Sequence, residues 1–334
     1  VTLSATILDC DGPELSRDEA VFFREARPWG FTLFARNIDT PDQVQRLCDA
    51  LRMAAGHDAP IFVDQEGGRV QRLRAPHWRE YLPALDQADR AGANAQTSFH
   101  LRGRLIAAEL RAVGIDGNYA PCADLAWPET HPFLRNRCAG HNPHSVTRNA
   151  RAFAAGLMQG GVLPVVKHLP GHGRARADSH HETPLIDLPR AELEQTDFLP
   201  FKALADLPLA MTAHVRLPFF GDAPATSNPA ALAMIRDDWG FQGALMTDDI
   251  GMKALTGPFR ARAMDARAAG CDLVLFCNEP LSDRAAVVEG AGLLEGAALA
   301  RAQAALDRRS PPEIVDIQAL EADLGALLSG AAHV

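Results

Sequence analysis

Eight short apolar runs recur along this chain, each ending in polar residues and each followed by helix-compatible sequence: TLSATILDCDG, GFTLFARN, APIFVDQEGG, GIDGNYAPCADL, GVLPVVKH, LPLAMTAHV, GALMTDDIGM and CDLVLFCNE. Short runs rich in β-branched residues read as strands buried on both faces, and strands alternating with helices pair in parallel. Eight such units favour a closed (β/α)8 barrel over an open doubly wound sheet, and the chain has no GxGxxG fingerprint for a dinucleotide. The expected fold is one α/β domain over 1–334, with a TIM-type barrel over about 1–308 and a tail from about 310 to 334. That tail begins at Pro311 and Pro312 and spaces Ile317, Leu320, Leu324 and Leu328 as one extra outer helix.

The connecting segments carry helix signals. Thr40 can cap a helix over 41–53 with Val44, Leu47 and Leu51 on one face, and Leu101, Leu105, Ile106, Leu110 and Val113 mark another over 98–113, ended by Gly114. Asn142 with Pro143, and Asn228 with Pro229, repeat the start signal.

Composition excludes several function classes. No apolar run approaches the roughly 20 residues of a membrane span. The formal charge is −9 and the basic residues form no long run, so neither nucleic acid nor a membrane is an expected partner. Six cysteines are scattered without a CxxC pair and read as free thiols of a reducing compartment. The start, VTLSATILDCDG, lacks the basic segment and long apolar stretch of a secretory signal, so a cytoplasmic protein is expected, with no cofactor and no metal.

Barrels of this kind place their reactive groups at the C-terminal ends of the strands. Those ends carry Arg36, Asn37, Asp64, Glu66, Asp124, Lys167, His168, His214, Asp248, Asp249, Asn278 and Glu279. Charged groups at the ends of buried strands are costly unless paired or used, which implies a polar pocket. The densest stretch is KHLPGHGRARADSH, with Lys167, His168, Asp178 and His180 among Pro170, Gly171 and Gly173, residues that let a loop fold back over a pocket.

KHLPGHG followed by DSH, together with VDQEGGRVQR and MTDDIGM, resembles the family 3 glycoside hydrolases and, within them, the bacterial NagZ-type N-acetylglucosaminidase branch. Leu169 stands where that branch usually has Phe, and Ile250 and Gly251 replace its common Leu and Ser. The resemblance implies Asp248 as nucleophile and His180, held by Asp178, as proton donor and acceptor. An imidazole titrates near neutrality, which suits both halves of a double displacement. It further implies that Asp64, Arg72, Arg137, Lys167 and His168 hold the sugar, while Arg69 braces its loop. Around Arg137, Cys138 and Ala139 depart from the family's motif, and His172 and His214 are open between lining the pocket and satisfying backbone. Asp249 is open between a site role and a helix cap.

The implied activity is retaining removal of terminal β-linked N-acetylglucosamine from anhydro-muropeptides, by a monomer, in peptidoglycan recycling. Arg174 and Arg176 are expected to offer positive charge to the carboxylates of such substrates. Two alternatives stand beside it. One is a metal-dependent barrel hydrolase using His168, His172, His180 and His214, although Pro170 and the glycines keep His168 and His172 off one helical face and the first strand ends in DCDG without a His pair. The other is a non-catalytic sugar-binding protein, which would need none of Asp248, Asp178 and His180. A Schiff-base role for Lys167 is the weakest option.

Overall fold

A computed structural model of the chain describes residues 2–176 and 182–329. Eight parallel strands follow one another around a barrel: β1 (Ser4–Leu8), β2 (Pro28–Leu33), β3 (Ile61–Val63), β4 (Gly117–Asn118), β5 (Leu163–Leu169), β6 (Leu209–Thr212), β7 (Ala244–Met246) and β8 (Val274–Phe276). β1 pairs with both β2 and β8, and a parallel bridge between Met246 and Leu273 joins β7 to β8, so the ring closes. Every one of the eight apolar runs supplies one strand, and all residues of β5 are buried, as a strand covered on both faces must be.

Thr40 accepts from the Gln43 N–H and caps the helix Pro41–Ala55; Asn142 accepts from Ser145 and caps Pro143–Gln159. The helix Ala95–Ala112 packs against Pro143–Gln159, with Gly103 and Gly156 in close approach. Asn228 caps Pro229–Ala233, which runs on as a π-helical turn over Met234–Asp238. The outer helix Ile317–Leu328 lies against Ala95–Ala112 and buries Leu324.

Inside the core, the rings of Trp29, Phe62 and Tyr119 stack at 5.8 and 5.4 Å between centroids. A Cβ at residue 117 would lie 2.2 Å from the Phe62 ring, so glycine is required where β4 passes it. At the opposite, N-terminal end of the strands, buried Asp116 binds Arg52 and Arg111, and buried Asp272 binds Arg236 and Arg301. These pairs tie strands to the outer helices on the face that a barrel uses for stability.

Candidate active site

The turn after β3 forms a small hairpin, Gln65–Gly67 against Val70–Gln71. Gln65 fixes it: its side-chain oxygen accepts from the backbone N–H groups of Arg72 and Leu73, both at 3.0 Å, and its amide donates to the Leu73 carbonyl at 2.9 Å. Gln65 is in turn exchanged with the Asn118 side chain through two 3.0 Å bonds. Behind the hairpin, the fully buried Arg102 guanidinium lies among the rings of Tyr81, Phe99 and Phe153. Asp64, Glu66 and Arg72 are thus delivered to the mouth of the barrel on a braced frame.

Lys167 arrives from β5 and meets two of them. Its Nζ lies 2.8 Å from Asp64 Oδ1 and 2.6 Å from Glu66 Oε1, and only 2% of its side chain is exposed. Burial alone would raise the Asp64 and Glu66 carboxyls, but Lys167 and Arg72 hold Asp64 well below the usual range, and Arg137 with Lys167 holds Glu66 at about 2. The same partners reverse the effect of burial on Lys167, which stays above the ordinary lysine value. Arg137 grips Glu66 with two bonds, Nε to Oε2 at 2.9 Å and Nη2 to Oε1 at 2.8 Å.

His168 joins this cluster to the next strand end. Its Nδ1 is 2.7 Å from Asp124 Oδ2, and its Nε2 is 3.2 Å from Arg137 Nη2. A guanidinium only donates, so Nε2 accepts and Nδ1 carries the proton given to Asp124. The other Asp124 oxygen accepts the His172 backbone N–H at 2.6 Å. Burial would raise the Asp124 carboxyl, but His168 and His172 bring it below the usual value.

Across the opening stands Asp248, beyond β7. A cavity of about 290 Å³ separates the two sides, lined by Asp64, Arg72, Arg137, Lys167, His168, His172 and Asp248, with Phe34, Met211, Met252 and Leu275 as apolar wall. Burial works to raise the Asp248 carboxyl, but His168, His214, the Asp249 N–H and Lys167 lower it. It is therefore an ionised carboxylate facing a cationic cluster. Burial and the Asp248 charge beside it push Asp249 up to about 8.

The structure brings together Asp64, Arg72, Arg137, Lys167, His168 and Asp248 around one cavity. His214 is fully buried outside that lining and donates Nε2–H to the Asp249 carbonyl at 3.0 Å, so it braces the loop that bears Asp248. Asp249 caps no helix: its Oδ1 accepts from the Gly251 N–H at 2.8 Å, and the next helix, Phe259–Ala269, begins after Pro258. His172 lines the cavity, and burial lowers its pKa to about 4. Arg69 braces, donating to the Phe133 carbonyl. Asp178 and His180 lie outside the described residues.

Two expectations from the sequence change. Arg174 offers no free charge, because it stacks on Trp127 at 3.4 Å and pairs with Asp197, Glu129 and Glu192. The strand-end charges do not all enter the pocket: Arg36 pairs with Asp9, and Arg284 with Asp9 and Asp11, where β1, β2 and β8 end. Glu66 and Asp124 were visible as strand-end carboxylates, but their work as anchors of Arg137 and His168 was not. Their signal was a carboxylate a few residues past a strand, in sequence that stays apolar or buried around it.

All six cysteines are buried and free. Among the described residues no helix is long and apolar enough to cross a membrane.

The sequence model of the glycosyl hydrolase family 3 N-terminal domain matches residues 17–308. A β-hexosaminidase of Alkalilimnicola ehrlichii is 38% identical over 285 residues, which is 83% of this chain and 82% of that protein. Another, of Methylococcus capsulatus, is 38% identical over 279 residues, 82% of this chain and 83% of that one. Among solved structures, NagZ of Neisseria gonorrhoeae superposes with a TM-score of 0.83 at 30% identity, covering 98% of this chain and 97% of that one. A family 3 β-N-acetylglucosaminidase of a Paenibacillus species gives a TM-score of 0.87 at 26% identity, covering 97% of this chain and 67% of that one.

Proposed function

Because the chain belongs to glycosyl hydrolase family 3 and is a glycoside hydrolase of the β-N-acetylhexosaminidase kind, we propose that it releases terminal β-linked N-acetylglucosamine with retention of configuration. The observation that carries the proposal is the pairing of one ionised carboxylate, Asp248, with a facing set of fixed donors on Lys167, Arg72 and Arg137 across a cavity of about 290 Å³. A sugar ring needs directional donors for its hydroxyls and a carboxylate near its anomeric carbon.

In the proposed cycle, Asp248 attacks the anomeric carbon while His180 protonates the departing oxygen. His180 then takes a proton from water, which displaces Asp248 and frees the sugar. Asp178 stabilises the imidazolium that forms between the two steps. Asp64, Lys167, His168, Arg72 and Arg137 orient the sugar, each held by partners that leave its conformation little freedom. His214 contributes indirectly, by fixing the backbone that carries Asp248.

The proposed substrates are N-acetylglucosaminyl anhydro-muropeptides, met by a monomer in the cytoplasm during peptidoglycan recycling. Support for this finer reading comes from the NagZ likeness and from six buried free thiols, which suit a reducing compartment. The deciding experiment follows nitrophenol release from the β-N-acetylglucosaminide and the β-glucoside, with and without EDTA, for wild type and Asp248→Ala. Turnover confined to the N-acetyl substrate, indifferent to chelator and abolished by the substitution, is expected. Chelator-sensitive turnover or none at all would overturn it. Release of N-acetylglucosamine from purified anhydro-muropeptides tests the substrate itself.

A further inference from the structure

One side of Asp124 faces more than His168. The Cys122 Sγ–H lies 3.3 Å from Asp124 Oδ2, the same oxygen that receives the His168 Nδ1–H at 2.7 Å. Cys122 Sγ, the Asp124 carboxylate and a His168 ring nitrogen all lie within 4.8 Å of one another, and all three residues are buried. A second thiol, Cys138, interacts with Cys122 and shares its small apolar cluster with Leu85, Ala126 and Leu134. The Cys138 thiol donates to the Leu134 carbonyl at 3.6 Å, and the Cys122 thiol feels the charge of Arg137.

We infer that Cys122, Asp124 and His168 form an inhibitory binding site for a thiophilic divalent cation such as Zn²⁺. One thiolate, one carboxylate and one neutral imidazole balance a double positive charge to zero, the condition under which a buried site tolerates an ion. Sulfur and imidazole select borderline ions, whereas Mg²⁺ and Ca²⁺ prefer a shell of oxygens. Entry is from the substrate cavity, whose wall includes His168.

Binding moves two protons. The Cys122 thiol releases its proton to solvent as the metal–sulfur bond forms. The His168 ring loses the proton on Nδ1, where the metal binds, and takes one on Nε2. That nitrogen then presents a donor to the Arg137 guanidinium, which is also a donor, so the 3.2 Å contact between them cannot persist. The ion thereby separates two groups assigned above to the sugar, and it inhibits without touching Asp248.

The test uses the full chain and Co²⁺ as a spectroscopic stand-in for Zn²⁺. Titration of wild type is expected to give a near-ultraviolet thiolate-to-cobalt band that saturates at one ion per chain and is erased by Zn²⁺. Cys122→Val should lack the band. In turnover assays, Zn²⁺ should inhibit wild type reversibly with EDTA, and Cys122→Val should need at least about tenfold more of it. No thiolate band, equal Zn²⁺ sensitivity in the variant, or a band lost only in Cys138→Val would overturn the inference. Should Cys122→Val fail to fold by circular dichroism, Cys122→Ser replaces it with the same expectations. The band is read without substrate, so it stands or falls separately from the proposed hydrolysis.

Discussion

Asp248 and Asp249 are adjacent in the chain, yet their carboxyls are driven in opposite directions: Asp248 below the usual carboxylate value and Asp249 up to about 8. Both are half-buried, so exposure does not separate them. Asp248 is lowered by His168, His214 and Lys167, whereas Asp249, which lines the same cavity, accepts from the backbone N–H groups of Gly251 and Cys277 and is raised by the Asp248 charge beside it. Two carboxyls with separated values leave the proposed nucleophile ionised in a loop that does not also carry a second negative charge.

Asp248→Asn should keep its place and lose its charge. Turnover is expected to fall on the order of 10³ to 10⁵-fold, while calorimetry still detects N-acetylglucosamine. Loss of binding in parallel with turnover would mean that Asp248 positions the sugar and does not attack it.

Asp249 makes stability depend on pH in a defined direction. Its value is about 8 in the folded chain against 3.8 ordinarily, so between these limits the native state holds a proton that the unfolded state gives up. Its contribution is complete at low pH and declines as pH rises through that window. Asp249→Asn carries no such proton, so its melting temperature should gain on wild type steadily from about pH 5 to pH 8. A difference that stays constant would show Asp249 ionised throughout.

Lys167→Met removes the cation between Asp64 and Glu66 without shortening the chain. The two carboxylates then face each other partly unpaired, at an expected cost of about 3–5 kcal/mol, read from denaturant unfolding. Adding Asp64→Asn should recover part of it. In wild type, Asp64 and Glu66 have depressed values, so their contribution is present above the ordinary carboxylate range and is lost as pH falls from about 4.5 toward about 2. The Lys167→Met chain should show a shallower loss over the same range.

Gly67 has φ +105°, and a Cβ there would lie 1.9 Å from Arg102 Nη2 and 2.6 Å from the Leu82 carbonyl oxygen. Gly67→Ala should therefore cost roughly 1–3 kcal/mol from backbone strain alone and more from the clash, with a raised KM because the hairpin carries Glu66. Gly92→Ala is the control: its φ is +53° and a Cβ there meets nothing within 4 Å. Comparable losses in both would mean that strain, not the Arg102 contact, sets the cost.

The barrel was legible because a strand buried on both faces is apolar along most of its length, and the runs at Leu163 to Val166 and Ile61 to Val63 show it. Lys167 and His168 were legible as residues that line the cavity for the complementary reason, since nothing near them in sequence neutralises them. Arg174 looked equally free. Its partners Glu129, Glu192 and Asp197 come from 18 to 45 residues away and meet it only after folding. His214 shows the same limit: its residue type suggested the pocket, but the turn of β6 sends it behind the Asp248 loop. The anchoring work of Asp124 is not legible because the groups it holds, the His168 ring and the His172 backbone, lie more than 40 residues downstream.

The pairing of β1 with β8 has a consequence for the order of events during synthesis. β1 leaves the ribosome before the other seven strands, but its second edge has no partner until Val274–Phe276 emerges, more than 260 residues later. The Asn278 N–H that binds Asp9 at 2.7 Å arrives with it. For most of translation the nascent chain carries an open strand edge, the feature through which sheets aggregate. A stalled chain lacking β8 would present that edge to its neighbours and would also lack the Leu275 and Asn278 wall of the cavity. Closure of the ring and completion of the cavity are thus one event, so truncated products of this chain are sticky before they are active.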